Sequence, residues 1–263
     1  MRCPFCAVRE KGLCQSVSMQ DAAGSVALET SHAQARVFDA GEMVYAQGDP
    51  SDHVYNLVSG WIVLHRDMAD GRRHITRFLL PGAMFGIAPS GQELGHTATA
   101  LTSAVVCPIP TQKLDDLRVQ VPSLNEQFIL TLAWENHHTF EALATLGQGS
   151  ARERIGTLLS GLATAIGGTA YANTVIRIPL LQRHIAEATG LTSIHVNRVL
   201  RQLREDLILD LHNGMLVIID PAKLHALAEP GATSSKHACS APEQTFLYMQ
   251  PTRKASEHGS KAC

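Results

Sequence analysis

The sequence predicts an α+β chain built as an N-terminal β-roll of the jelly-roll kind, a long helix, and a C-terminal winged helix-turn-helix. Three observations carry this. Short apolar runs between residues 41 and 110 are punctuated by glycine at roughly strand-and-turn spacing. The apolar period changes to a helical one after Pro122. A Thr189-Gly190 step then separates two helical segments, and an Asn213-Gly214 turn follows. With 263 residues, 45% of them apolar and 17% charged, the chain can bury a core without covalent staples. No run approaches the length of a membrane span. The opening MRCPFCAVRE holds no apolar signal core, so a cytoplasmic location is expected. A net charge of −2 does not advertise nucleic-acid binding, although it can hide a local basic face.

Composition divides the chain into a cysteine-rich head (residues 1–18), a strand-and-turn region (19–120), a long helix (121–147), a further helical and winged region (148–229), and a tail (230–263). In the second region GEMVYAQGD places Gly41 and Gly48 around a short run, and HVYNLVSGWIVLHRD gives two runs joined at Ser59-Gly60. Asp70-Gly71 signals a tight hairpin between WIVLHR and HITRFLL. TATALTSAVVCPIP reads as a further strand pair. Leu124, Phe128, Leu132, Leu143 and Leu146 then line one face of a helix over residues 123–146, entered at Pro122 and interrupted by Gly147 and Gly149. A second helix is expected over residues 151–165, then the strand-like VIRIP. The tail is rich in Ser, Ala, Pro and charge, and is expected to be disordered apart from the apolar FLYM.

LLQRHIAEATGLTSIHVNRVLRQLRED is the strongest motif. Ala186 is small enough for two helices to cross closely, and Gly190 can take the positive φ of a tight interhelical turn. Val196, with Leu191, Val199, Leu200 and Leu203, supplies the buried face, while Thr192 is placed to cap the second helix. The opposite face presents Ser193, Ile194, Asn197, Arg198 and Arg201. Arg can read guanine, Asn adenine, and an apolar side chain a thymine methyl. Residues 177–204 hold five arginines and a single acid, Glu187, so a local basic surface exists for phosphates. LILDLHNGMLVIID behind it reads as a β-wing.

Six cysteines remain: Cys3, Cys6, Cys14, Cys107, Cys239 and Cys263. In a reducing compartment structural disulfides are rare. Cys3-x2-Cys6-x7-Cys14 concentrates soft sulfur ligands in the head. A [4Fe–4S] cluster needs a fourth ligand, and Cys107 alone lies in an expected ordered element. Zinc, with a further cysteine or a histidine such as His32, and three uncoordinated thiols are the alternatives at this point.

Together these residues resemble the Crp/Fnr regulators over most of residues 20–229, with a cyclic-nucleotide-binding-like roll and a dimerisation helix. The Cys-x2-Cys-x7-Cys head and VVCPIPTQKLDDL (105–117) resemble the oxygen-responsive Fnr type. The resemblance implies that Cys3, Cys6, Cys14 and Cys107 ligate a [4Fe–4S] cluster. The cluster would favour a homodimer paired along the long helix. The dimer would bind palindromic double-stranded DNA through Thr192, Ser193, Ile194, Asn197, Arg198 and Arg201, and would contact RNA polymerase. No membrane partner is implied. Ile194 stands where the Fnr pattern has an acidic residue and Asn197 where it has serine, so the resemblance does not carry the Fnr-type half-site over to this chain. His96-Thr97 and Gly82-Ala83 replace the Arg-Thr and Gly-Glu pairs expected of a cyclic-AMP site, so the phosphate-binding arginine is lost and cyclic AMP is not the expected effector. A cluster-free regulator of the same fold responding to haem, nitric oxide or a small molecule is the alternative. A cupin-like metalloenzyme would need clustered histidines, whereas His53, His65, His74 and His96 are scattered, and no catalytic residue is proposed. His137-His138 is read as one solvated and one packed side chain.

Overall fold

A computed structural model describes residues 6–8, 14, 35–89, 92–167 and 174–228. Eight strands build the roll: β1 (Arg36–Phe38), β2 (Met43–Tyr45), β3 (His53–Ser59), β4 (Ile62–Asp67), β5 (Arg73–Leu79), β6 (Met84–Phe85), β7 (Thr97–Ala100) and β8 (Ala104–Pro110). They form two four-stranded sheets, ordered β1-β8-β3-β6 and β2-β7-β4-β5. Alternating residues of both sheets meet inside, where Leu57, Ile62, Leu64, Leu79, Phe85, Ala98 and Val106 are buried in one cluster.

The Asp70-Gly71 hairpin forms as expected, with β4 antiparallel to β5 and the Asp70 carboxylate accepting from the Arg72 N–H. β7 and β8 correct the expected strand pair. Each strand exists, but they belong to different sheets, because the chain crosses the roll between them and each buries its inner face from opposite sides. Gly60 makes the analogous crossing from β3 to β4. Its φ is +84°, and a Cβ there would sit 2.3 Å from the Ser103 carbonyl oxygen, so only glycine fits.

A helix not expected within the roll region, α1 (Thr111–Gln120), follows β8. The long helix α2 runs Pro122–Gln148, with proline at its first turn. Gly147 does not interrupt it. One glycine costs a helix only about 1 kcal/mol, and the end comes at Gly149, whose N–H donates to the Thr145 carbonyl at 2.8 Å. The first half of α2 is buried through Leu124, Phe128 and Thr131, while Ile129, Trp134, Phe140 and Leu143 are exposed. Both His137 and His138 are about half exposed, correcting the expectation of one packed and one solvated. Each reaches Glu141, one turn along α2, so neither is drawn into the core.

The C-terminal unit comprises α3 (Ala151–Gly167), β9 (Thr174–Arg177), α4 (Gln182–Thr189), α5 (Ser193–Glu205), β10 (Leu209–His212), β11 (Met215–Ile218) and α6 (Pro221–Ala228). The wing is a three-stranded sheet, β10-β11-β9, turned by Asn213 and Gly214 at positive φ. The sequence reading missed α6, which packs its Leu227 over Gly156 of α3. Among the described residues no helix is long and apolar enough to cross a membrane. The expected disorder of residues 230–263, together with Cys239 and Cys263, lies outside the described residues, as do Cys3 and His32.

Both outer faces of the roll are covered. Val54, Met84 and Ile109 on the first sheet pack under Leu114 and Leu117 of α1 and Leu124 and Phe128 of α2. Val63, Ile75 and Phe78 on the second sheet join one apolar cluster with Ile185, Ala186, Val199 and Leu203 of the C-terminal unit. A hydrogen bond seals that junction. The His74 Nδ1–H donates to the Glu187 carbonyl at 2.9 Å, the direction being fixed because a carbonyl can only accept.

Candidate functional site

Two places concentrate the predicted site residues. The first is the outer face of the first sheet. In the antiparallel ladder Asn56 stands opposite Cys107 on one side and Met84 on the other. Opposed residues project to the same face, so the three form a row across the sheet. Asn56 is 1% exposed, and its Nδ2–H donates to Cys14 Sγ at 3.2 Å. Cys14 is buried in the same apolar cluster as Ile109, Leu114, Leu124 and Phe128. The structure therefore brings Cys14 and Cys107 to one asparagine, directly beneath the first turns of α2. Cys6 is half-buried, beside the fully buried Val8. Among the described residues no group of three or more His, Cys, Asp or Glu side chains is gathered to hold a metal.

The chemistry of this face can be tested against a sulfur-ligated centre. Asn56 Oδ1 is buried and has no hydrogen-bond partner among the described residues. An unpaired buried acceptor costs about 1–3 kcal/mol. A plain core would place an apolar side chain here, between Val54 and Ile109. Two cysteines on one face, an amide N–H aimed at sulfur, and two more thiols at Cys3 and Cys6 in the sequence suit a group bound by thiolates. The sequence reading missed Asn56. The signal was a lone amide in the otherwise apolar β3 run at an outward position.

The second place is the helix pair α4–α5. Gly190 closes α4 in the left-handed region at φ +68°, and its N–H donates to the Ala186 carbonyl. The Thr192 hydroxyl caps α5 by accepting from the His195 N–H at 3.2 Å. Val196, Val199, Leu200 and Leu203 are buried, which turns Ser193, Ile194, Asn197, Arg198 and Arg201 outward. Ile194 is 85% exposed, an unusual place for a large aliphatic side chain without a partner. The Asn197 Nδ2–H donates to Gln182 Oε1 at 3.3 Å, which orients its amide. Arg201 pairs with Glu205 at 3.1 Å on the open surface, where such a pair is weak and readily exchanged for a phosphate. Arg177, Arg183, Arg198, Arg201 and Arg204 are all exposed. Gln182 was not singled out from sequence, since nothing local links it to Asn197.

Inside the roll, Tyr45 Oη lies 2.7 Å from His96 Nε2, and the Tyr45, Tyr55 and Phe85 rings pack at 5.3–6.1 Å. Burial holds His96 below the usual histidine range and pushes the Tyr45 hydroxyl far up, so both are neutral near pH 7. An exposed basic helix seated by a β-wing, joined through a long helix to a roll, defines a DNA-binding transcriptional regulator.

The comparisons agree part by part. Residues 35–120 match the family model of the cyclic nucleotide-binding domain, and residues 153–227 that of the Crp-like helix-turn-helix domain. The chain is 29% identical to the nitrogen fixation regulation protein FixK of Bradyrhizobium diazoefficiens, over 86% of this chain and 93% of that one. It is 28% identical to the transcriptional activator protein Anr of Pseudomonas protegens, over 86% and 92%. Among solved structures, FixK2 from Bradyrhizobium japonicum superposes with a TM-score of 0.69 at 27% identity, covering 76% of this chain and 98% of that one. The chain belongs to the Crp/Fnr family of transcriptional regulators.

Proposed function

We propose that this regulator senses oxygen through a [4Fe–4S] cluster held by Cys3, Cys6, Cys14 and Cys107, and that the cluster governs dimerisation and promoter binding. One observation carries the reading: Cys14 lies against Asn56, across the ladder from Cys107, inside the apolar cluster that seats Leu124 and Phe128 of α2. When bound, the group would supply an oxygen-labile inorganic centre whose integrity reports the redox state. The chain's own residues do the rest. Cys14 and Cys107 would hold the group against the roll, and Cys14 packs in the cluster that seats the base of α2. Ile129, Leu132, Phe140 and Leu143, exposed on one face of α2, offer an apolar surface for a second copy. Two paired copies would set two α5 helices one DNA turn apart on a palindromic operator. Arg198 and Asn197 read base edges, Ile194 meets a thymine methyl, and Thr192, Ser193 and Arg201 hold the backbone. The switch requires helix pairing near balance, so that a few kcal/mol at the base of α2 decides it.

Cyclic AMP is not the effector in this reading. At the position of the expected arginine, His96 is neutral and engaged by Tyr45, and offers no fixed charge to a phosphate. The deciding experiment is purification without air, with iron, acid-labile sulfide, visible spectrum and sedimentation measured before and after exposure. A brown dimer that bleaches and dissociates in air is expected. An iron-free protein that binds its promoter equally in air would leave the regulator and remove the cluster, turning attention to haem, nitric oxide or a small molecule.

A further inference from the structure

We infer that Asn56 is a positioning residue for the sulfur site, with its side-chain N–H holding the Cys14 thiolate and drawing charge from it. The inference rests on the cluster reading above. Asn56 is buried at the centre of the Met84–Asn56–Cys107 row, among Val54, Ile109 and the helices that cover them. Its Nδ2–H reaches Cys14 Sγ at 3.2 Å, while its Oδ1 has no partner among the described residues. A side chain kept for packing would satisfy both ends or be apolar. This one satisfies the end that faces sulfur and leaves the other unmet.

A neutral thiol is a weak acceptor, whereas a thiolate is a strong one, so the bond strengthens when Cys14 becomes a ligand. Hydrogen bonds to ligand sulfur are among the terms that set a cluster's potential. An N–H on the sulfur favours the more negatively charged state and so resists loss of electrons to dioxygen. Asn56 thereby sets how fast air is sensed.

The test uses the full chain, reconstituted without air, as wild type, Asn56→Leu and Asn56→Ala. Leucine fills the same space and removes the unmet acceptor, so the iron-free Asn56→Leu protein should melt at or above wild type. Its iron-loaded form should nevertheless bleach in air faster by about tenfold, the scale of outer-shell effects at metal sites, with a midpoint potential shifted negative. Asn56→Ala should bleach as Asn56→Leu does. In the wild type, exchange into heavy water should shift the Fe–S(Cys) bands in resonance Raman spectra, and Asn56→Leu should lose part of that shift. Bleaching that tracks side-chain volume, with leucine like wild type and alanine fast, would overturn the inference in favour of packing. So would unchanged rates, or a wild-type spectrum blind to deuterium if the variants fail to load iron. An iron-free wild type would sink the cluster reading itself, and Asn56's role with it.

Discussion

The two outer faces of the roll have the same job in folding and different chemistry. Each is a sheet surface that must be covered. The first is covered by α1, the base of α2 and Cys14. The second is covered by the DNA-reading unit, through Val63, Ile75, Phe78 and the His74–Glu187 bond. The first face buries an amide and sulfur among apolar neighbours, while the second is apolar packing with a polar seam at its edge. The first face leaves the Asn56 Oδ1 buried and unmet at some cost to stability, whereas the polar groups of the second meet at its edge. The roll is thus a two-sided plate, with the proposed sulfur site on one side and the DNA-reading unit on the other.

The sharpest way to break this contrast is to strike each face alone. Cys107→Ser or Cys14→Ser should abolish iron, sulfide and brown colour, and lower anaerobic promoter affinity by roughly 5–150-fold, the usual range of coupling between two sites. Coloured, oxygen-labile protein from Cys107→Ser would move the fourth ligand elsewhere. Phe78→Ala on the other face should keep the colour yet lose about 3–5 kcal/mol of stability, read by calorimetry and by protease access to the α4 junction. Phe140→Asp or Leu143→Glu on the exposed part of α2 should weaken pairing by about 2 kcal/mol or more, seen in sedimentation, with colour and monomer stability unchanged. Arg198→Ala should cost about 1–3 kcal/mol of base discrimination. Uniform weakening on all DNA sequences, with a shallower salt slope, would mean that Arg198 touches only phosphate. Thr192→Val should cost about 1 kcal/mol through the lost cap, visible in the melting of the C-terminal unit before any change in specificity.

The two sites were not equally readable from sequence, for a physical reason. Everything that makes α5 a reading helix lies within 27 residues: the small Ala186, the left-handed Gly190, the Thr192 cap and the buried stripe of Val196, Val199 and Leu203. Periodicity and cap chemistry are local, so they show in the chain. The sulfur face joins a head, β3, β8 and α2, and its register comes from strand pairing across some 50 residues, Asn56 with Cys107. Nothing local announces that pairing. The cysteines stood out by type and spacing, and Cys107 by family likeness, but Asn56 looked like one more residue of a strand. The same limit explains the misread strand pair. Strand existence is written in β-branched runs, whereas the sheet a strand joins is decided by partners far along the chain. The helices α1 and α6 were missed because their apolar stripes are thin: α1 buries only Leu114 and Leu117 and opens directly from β8 without a side-chain cap, and α6 buries only Leu224.

The 27 residues of α2 have a mechanical consequence. At 1.5 Å per residue such a rod is about 40 Å long. It is gripped at one end by Leu124 and Phe128 and largely ungripped toward the other. A tilt of about 5° at the gripped end would sweep the far end by roughly 3–4 Å, on the scale of the helix shifts and one-turn ratchets of known switches. A small tilt at the gripped end is therefore enlarged, a full helix away, to the range that sets how far apart two reading helices stand.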